Sequence, residues 1–165
     1  MTVGRFLIGA LVARVMAHVP AGTEVVDVYA GVGLFAIAAA EVRGARVTAV
    51  EGDRAAARDL EANARGSSGA VEVVHQPVES FARARDRAPA VVIVDPPRTG
   101  MSREAFARVV ALGGATLVYV SCDVATLARD ARRLTDAGYR LTNVDAFDLF
   151  PNTPHVEAVV RFVRT

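Results

Sequence analysis

The chain has no tryptophan and no lysine, and only one cysteine, Cys122, and three histidines among its 165 residues. One thiol rules out an internal disulfide framework, which makes a cytoplasmic protein the expectation. Three scattered histidines and one cysteine carry no zinc-ligand spacing, so no metal is expected. Long hydrophobic runs are missing too. Arg14, Glu24 and Asp27 interrupt the apolar N-terminal stretch before it reaches membrane-spanning length, so no membrane partner is expected. Met1–Val19 lacks a basic start and a small-residue cleavage site, which argues against a signal peptide. Nor is there an excess of either charge: a net +1 falls far short of the basic footprint of an autonomous nucleic-acid binder. With lysine absent, all 19 basic residues are arginine. Arginine pairs bidentately with phosphate and stacks on bases, although a coding bias toward Ala, Arg, Gly and Val accounts for the same composition.

What is present is enough apolar residue, 52%, to build one core, and the expectation is a single domain over 1–165 with a leading helix over 1–19. The pattern along the chain is alternation. Helical spacing over 4–19 is followed by a β-branched run at 24–30, a helix at 33–44 and a strand at 46–52. A helix over 53–66 starts at Asp53 as its N-cap and ends at Gly66; a strand at 71–76 and a short helix at 78–85 follow. PAVVIVDPP (89–97) is an apolar strand stopped by a double proline, then come a helix at 103–113, a strand at 115–122 and a helix at 124–138. The last two strands, 140–148 and 155–164, have no helix between them and should pair antiparallel at one edge. Such alternation predicts an α/β fold: a seven-stranded, mostly parallel sheet with an antiparallel last strand and helices on both faces. No linker or repeat interrupts it, and no separate RNA-binding domain stands in the sequence.

Ligands in such sheets bind at the carboxyl ends of the strands. The polar residues there are Asp27 with Tyr29, Glu51, Asp95, and Ser121 with Cys122. In DVYAGVGLFA (27–36), Gly31 and Gly33 follow a strand and open a helix, so backbone can approach a ligand closely. Glu51 ends the next strand, and its two carboxylate oxygens can accept both hydroxyls of a ribose. A dinucleotide, S-adenosylmethionine, or a tight turn with no ligand all fit this loop. In Asp95-Pro96-Pro97-Arg98, two prolines fix φ and form a stiff shelf that can hold a planar base, while Arg98 can meet a phosphate. Cys122 is a candidate nucleophile, or a small buried residue that ends a strand. Glu157 alternates with apolar neighbours and could equally face solvent.

Together DVYAGVGLF, VEGD, VDPPRTGM, YVSCDVATLARD and FPNTPHVEAVVRF resemble the catalytic domain of the RNA 5-methyluridine methyltransferases, from about Val25 to the C-terminus. The resemblance implies a Rossmann-like class I methyltransferase fold, S-adenosyl-L-methionine as cofactor, and a uridine of ribosomal or transfer RNA as substrate. It places the nucleophile on Cys122 and the base on Glu157. Cofactor contacts fall on Tyr29, Glu51 and Asp95 beside Gly31 and Gly33, and substrate contacts on Pro96, Arg98 and His155. Val124 stands where the family usually has proline, and MTVGRFLIG lacks the family's upstream glutamine. Another class I methyltransferase, or a truncated cofactor-binding remnant, is the alternative. A methylase of amino groups usually carries an aromatic after the prolines, where this chain has Arg98.

Overall fold

The computed structural model describes residues 3–83, 87–148 and 156–165, the stretch 3–6 by its backbone alone. Helix α1 (Val3–Ala17) leads into β1 (Glu24–Val28), α2 (Leu34–Arg43), β2 (Arg46–Glu51), α3 (Arg54–Gly66) and β3 (Ala70–His75). Then follow β4 (Val91–Val94), α4 (Arg103–Ala111), β5 (Thr116–Ser121), α5 (Val124–Asp136), β6 (Tyr139–Phe147) and β7 (Glu157–Arg164). The caps agree with the sequence: Asp53 accepts the N–H groups of Ala55 and Ala56 at the start of α3.

The sheet runs β3-β2-β1-β4-β5-β7-β6, with β1 to β5 parallel and β7 antiparallel to both of its neighbours. The last two strands do pair antiparallel, but β7 inserts inside β6, which becomes the edge. The chain builds outward from β1 through β2 to β3 and then resumes on the other side at β4, so the topological switch point lies between β1 and β4. Strand residues alternate between two cores. Val25, Val47, Ala49, Ile93 and Val118 pack with α1, α2 and Leu60 of α3. Val26, Val28, Val92, Leu117 and Tyr119 pack with α4, α5 and Phe81. The inner strands β1, β2, β4 and β5 are covered on both faces, which is why they read as continuous apolar runs. No helix among the described residues is long and apolar enough to cross a membrane.

One element departs from its sequence pattern. The helix expected over 78–85 is a single 3-10 turn, Val78–Ser80, after which Phe81 is extended. Side chains have claimed the carbonyls a helix would need: Arg108 Nε donates to Glu79 O at 3.0 Å and Gln76 Nε2 to Ser80 O at 2.7 Å. Arg83 turns away to pair with Glu24. Residues 84 and 85 of that expected helix lie outside the described residues.

Gly33 is a packing position. It caps α2 with φ +99°, and a Cβ there would stand 2.6 Å from Leu60 Cδ1. Gly33→Ala should therefore cost about 1–3 kcal/mol from backbone strain plus overpacking, read as a lower midpoint in denaturant unfolding at an unchanged m-value.

Candidate active site

Four strand ends meet on one rim around the switch point. The loop after β1 is stiff: Ala30 N–H donates to Val50 O at 3.0 Å, Gly33 N–H to Ala30 O at 2.9 Å, and Asn63 Nδ2 to Val32 O at 2.9 Å. Tyr29 is the only described non-glycine residue with positive φ, at 62°. That turn breaks the strand's alternation and throws the Tyr29 ring into the second core, toward Glu79 and Asp130. Burial, with the nearby Glu79 and Asp130 charges, pushes its phenol up to about 12, so it stays protonated.

Glu51 bridges two loops. Its Oε2 accepts the Gly31 N–H at 2.7 Å and its Oε1 the Asp53 N–H at 2.6 Å. Each oxygen keeps a further lone pair for a ligand hydroxyl. Gly31 has open space where a Cβ would stand, whereas Gly33 does not. The two glycines that look alike in sequence thus divide their work: Gly31 leaves room at the rim and Gly33 seats a helix.

The rim is acidic. Asp27 is fully buried, and neither carboxylate oxygen finds a hydrogen-bond partner among the described residues. The Ala36 backbone N–H faces it without reaching proper hydrogen-bond geometry. Burial, then the charges of Asp95 and Glu51, hold the Asp27 carboxyl well above the usual range against the weaker pull of that N–H. Asp95 is exposed by surface area but stands in a recess where surrounding protein still strips water from the carboxyl. That desolvation, helped by the Glu157 charge, raises its pKa from 3.8 to about 7. Neither Asp27, Glu51 nor Asp95 pairs with an arginine among the described residues. Such a rim suits a ligand bearing positive charge and a ribose. It does not suit a pyrophosphate, because the Gly31 and Gly33 N–H groups that would cradle one are already taken.

On the substrate side, Pro96 is buried while Pro97 and Arg98 are exposed, so Pro97 presents the open ring face of the shelf. Cys122 is partly exposed just past the end of β5. Ser121 closes the loop around it, its hydroxyl accepting the Asp123 N–H at 3.1 Å and donating to Asp123 O at 2.9 Å. Asp123 then caps α5 by accepting the Thr126 N–H at 2.8 Å, so the loop is pinned without a proline at Val124. In the β5–β7 register Val120 faces Val159 and Ser121 faces Ala158. The ladder ends at that pair, so Cys122 follows β5 at the same end of the sheet where Glu157 begins β7. Tyr29, Gly31, Glu51, Asp95, Cys122 and Glu157 therefore gather on one rim, while His155 lies outside the described residues. Among the described residues no cluster of His, Cys, Asp and Glu is arranged to hold a metal.

Sequence reading missed the weight of Asp130. It is fully buried on α5. Its signal was available: it falls in the stripe of Leu127, Ala131 and Leu134, where an amphipathic helix places apolar residues.

An aspartate whose native pKa exceeds its unfolded value binds more protons folded than unfolded between the two, so stability falls as pH rises through that window. For Asp95 the window runs from 3.8 to about 7. Asp95→Asn should flatten the pH dependence of unfolding across it relative to the wild type. Glu157→Gln should lower the Asp95 midpoint, followed by carboxyl-carbon NMR; an unmoved midpoint would contradict the coupling of the two acids.

Comparison with known proteins accords with this arrangement. The model of the family described as tRNA (uracil-5-)-methyltransferase matches residues 12–165. An uncharacterized RNA methyltransferase of Thermotoga maritima is 40% identical over 145 residues, 87% of this chain and 33% of the relative. One from Bifidobacterium longum is 36% identical over 146 residues, 84% of this chain and 33% of the relative. The chain thus spans about a third of the length of these curated relatives. The Pyrococcus abyssi tRNA (uracil-54, C5)-methyltransferase, solved with S-adenosyl-L-homocysteine, superposes with a TM-score of 0.83 at 31% identity, over 94% of this chain and 38% of that one. Magnesium protoporphyrin IX methyltransferase from Synechocystis, at 18% identity and a TM-score of 0.73 over 99% of this chain and 81% of that one, shares the fold. This chain belongs to the tRNA (uracil-5-)-methyltransferase family.

Proposed function

We propose that this chain is a methyltransferase domain that acts on carbon 5 of a uridine in ribosomal or transfer RNA, with S-adenosylmethionine as methyl donor, and so works in the cytoplasm. The observation that supports the reading is the antiparallel pairing of β5 and β7, which brings the end of β5 before Cys122 and the start of β7 at Glu157 to the rim that also holds Asp95. Asp27, Glu51 and Asp95, which pair with no arginine among the described residues, favour a donor with a sulfonium and an ammonium over a dinucleotide. Glu51 would take the ribose, with Gly31 leaving space beside it. Asp95 would face the cationic end, where a positive charge draws its raised pKa back down. Tyr29 and Gly33 would support the loop.

The chemistry follows from the residues. Carbon 5 of uracil is a weak nucleophile. Addition of the Cys122 thiolate to carbon 6 forms a C–S bond and moves the ring electrons onto the enolate, giving carbon 5 carbanion character. A free cysteine, with a pKa of about 8.5, is only slightly ionised at neutral pH, so the site must favour the thiolate. The bound donor supplies an electrophilic methyl group for carbon 5. Glu157 then removes the carbon 5 proton, the C5–C6 double bond re-forms and the Cys122 thiolate leaves; Glu157 passes the proton to solvent, which balances the positive charge lost from the donor. Pro96 and Pro97 hold the ring, Arg98 takes a phosphate, and His155 shapes the substrate side. Fixing thiol, base and donor around one ring is the main contribution of the fold.

Labelled S-adenosylmethionine and unmodified RNA test the reading. Cys122→Ala should abolish transfer, and RNA carrying 5-fluorouridine, which has no removable proton at carbon 5, should trap an adduct on Cys122. Glu157→Gln should slow turnover about 10²–10⁴-fold while the methylated adduct accumulates. Equal transfer by Cys122→Ala, or a thermal shift with NAD but none with S-adenosylhomocysteine, would overturn the assignment.

A further inference from the structure

Asp130 occupies the point where three segments meet. From α5, its Oδ2 accepts the Met101 N–H at 2.9 Å and the Tyr119 hydroxyl at 2.9 Å. Its Oδ1 accepts Arg133 Nη1 at 2.9 Å and Arg129 Nε at 3.1 Å. All four acceptor sites of the carboxylate are filled. Burial pushes its pKa up, but the Met101 N–H, the Tyr119 hydroxyl and the two guanidinium groups outweigh it, and the net shift is downward, so the group stays charged.

Every partner belongs to a segment that carries a reacting or binding group. Tyr119 lies on β5 three residues before Cys122. Asp130 itself is on the helix that begins two residues after that thiol. Met101 ends the turn that starts at Asp95. Arg129 and Arg133 extend the grip, Nη2 of Arg129 donating to Thr99 O at 3.0 Å and Nη1 of Arg133 to Met101 O at 3.2 Å. The turn is drawn in tightly: Gly100 N–H donates to Pro97 O at 2.7 Å. Gly100 has φ +73°, and a Cβ there would fall 2.4 Å from Arg129 Nη2 and 2.7 Å from Asp130 Oδ2. Glycine is required because the loop is pressed against the carboxylate and its arginines.

We propose that Asp130 is a positioning residue that locks the Asp95–Pro97 shelf to the loop of Cys122, so that the base-holding surface and the attacking thiol form one rigid frame. The inference rests on the methyltransferase reading for its catalytic meaning, while the coupling of the two loops stands on the hydrogen bonds alone. The ribose side of the donor is held separately, by Glu51 and its bonds to Gly31 and Asp53, and of the donor contacts only Asp95 belongs to the shelf. Loss of the clamp should therefore disturb thiol addition far more than donor binding.

The test compares wild type with Asp130→Asn, at a temperature where circular dichroism shows both folded. Three quantities are read: the dissociation constant for S-adenosylhomocysteine, the rate of adduct formation on saturating 5-fluorouridine RNA, and the alkylation rate of Cys122, the sole thiol, by iodoacetamide. The expected result is an S-adenosylhomocysteine affinity within about threefold of wild type and an adduct rate about 100-fold lower, the scale of a misplaced reacting group. A purely structural role would lower the melting temperature and leave the adduct rate per folded molecule unchanged, and that result overturns the proposal. If wild type itself forms no adduct, the methyltransferase reading fails. The loop coupling is then judged by alkylation, where a change of about tenfold or more supports it and equal rates overturn it. Should Asp130→Asn not fold, Tyr119→Phe and Gly100→Ala loosen the same clamp from its other two sides. Slower adduct formation or altered alkylation in both supports the frame; wild-type behaviour in both overturns it.

Discussion

The insertion of β7 between β5 and β6 is the constraint on which the site depends. A parallel strand in that place would carry its polar start to the opposite end of the sheet. Because β7 runs antiparallel, its first residue, Glu157, lies at the rim where β5 ends. The pairing then fixes spacing as well as direction: the ladder closes at Ser121 and Ala158, one residue short of Cys122 and Glu157, and the hydrogen bonds of Ser121 and Asp123 hold the thiol loop at that end. A slip of one residue would turn Glu157 to the other face. The apolar residues Val159, Val160 and Phe162 prevent that slip, because each is buried in one of the two cores and would have to trade places.

The rim costs stability to keep. Desolvation holds both Asp27 and Asp95 toward their neutral forms, helped by the charge of Asp95 on Asp27 and of Glu157 on Asp95. A fold selected for stability alone would place arginines there, and this chain has 19 of them. They serve elsewhere: Arg83 and Arg46 pair with Glu24 at the opposite end of the strands, and Arg129 and Arg133 pair with Asp130 behind the shelf. With no arginine paired to Asp27, Glu51 or Asp95 among the described residues, the rim keeps a negative field.

Much of the fold was legible because each local signal agreed with the tertiary outcome. Uninterrupted β-branched runs became strands buried on both faces, and Asp53 and Ser102 began helices by accepting backbone N–H groups. The short helix at 78–85 was misread because its fate was settled by Gln76 and Arg108, one just upstream and one on α4, which took its carbonyls. Sequence spacing placed the rim residues on one edge, but it carried no register. That Cys122 and Glu157 come to the same end of the sheet follows from β7 pairing with β5, a contact between segments more than thirty residues apart in the chain. The same limit applies to Tyr29, whose ring changes faces through a single positive φ, and to the two glycines, which only their surroundings tell apart.

The two fully buried aspartates, Asp27 and Asp130, show what burial does and does not say. Both are acids among apolar neighbours. Asp130 receives four donors and remains charged, so its free energy is spent on joining segments. Asp27 receives none in good geometry and is driven toward neutrality by its surroundings. A charged, fully bonded carboxylate resists displacement, because moving any partner strands a charge in the core. A neutral, under-bonded one can accept a new partner at little cost. The fold thus places its rigid acid behind the shelf, where it ties the turn before Met101 to β5, and its adaptable acid beneath the glycine loop.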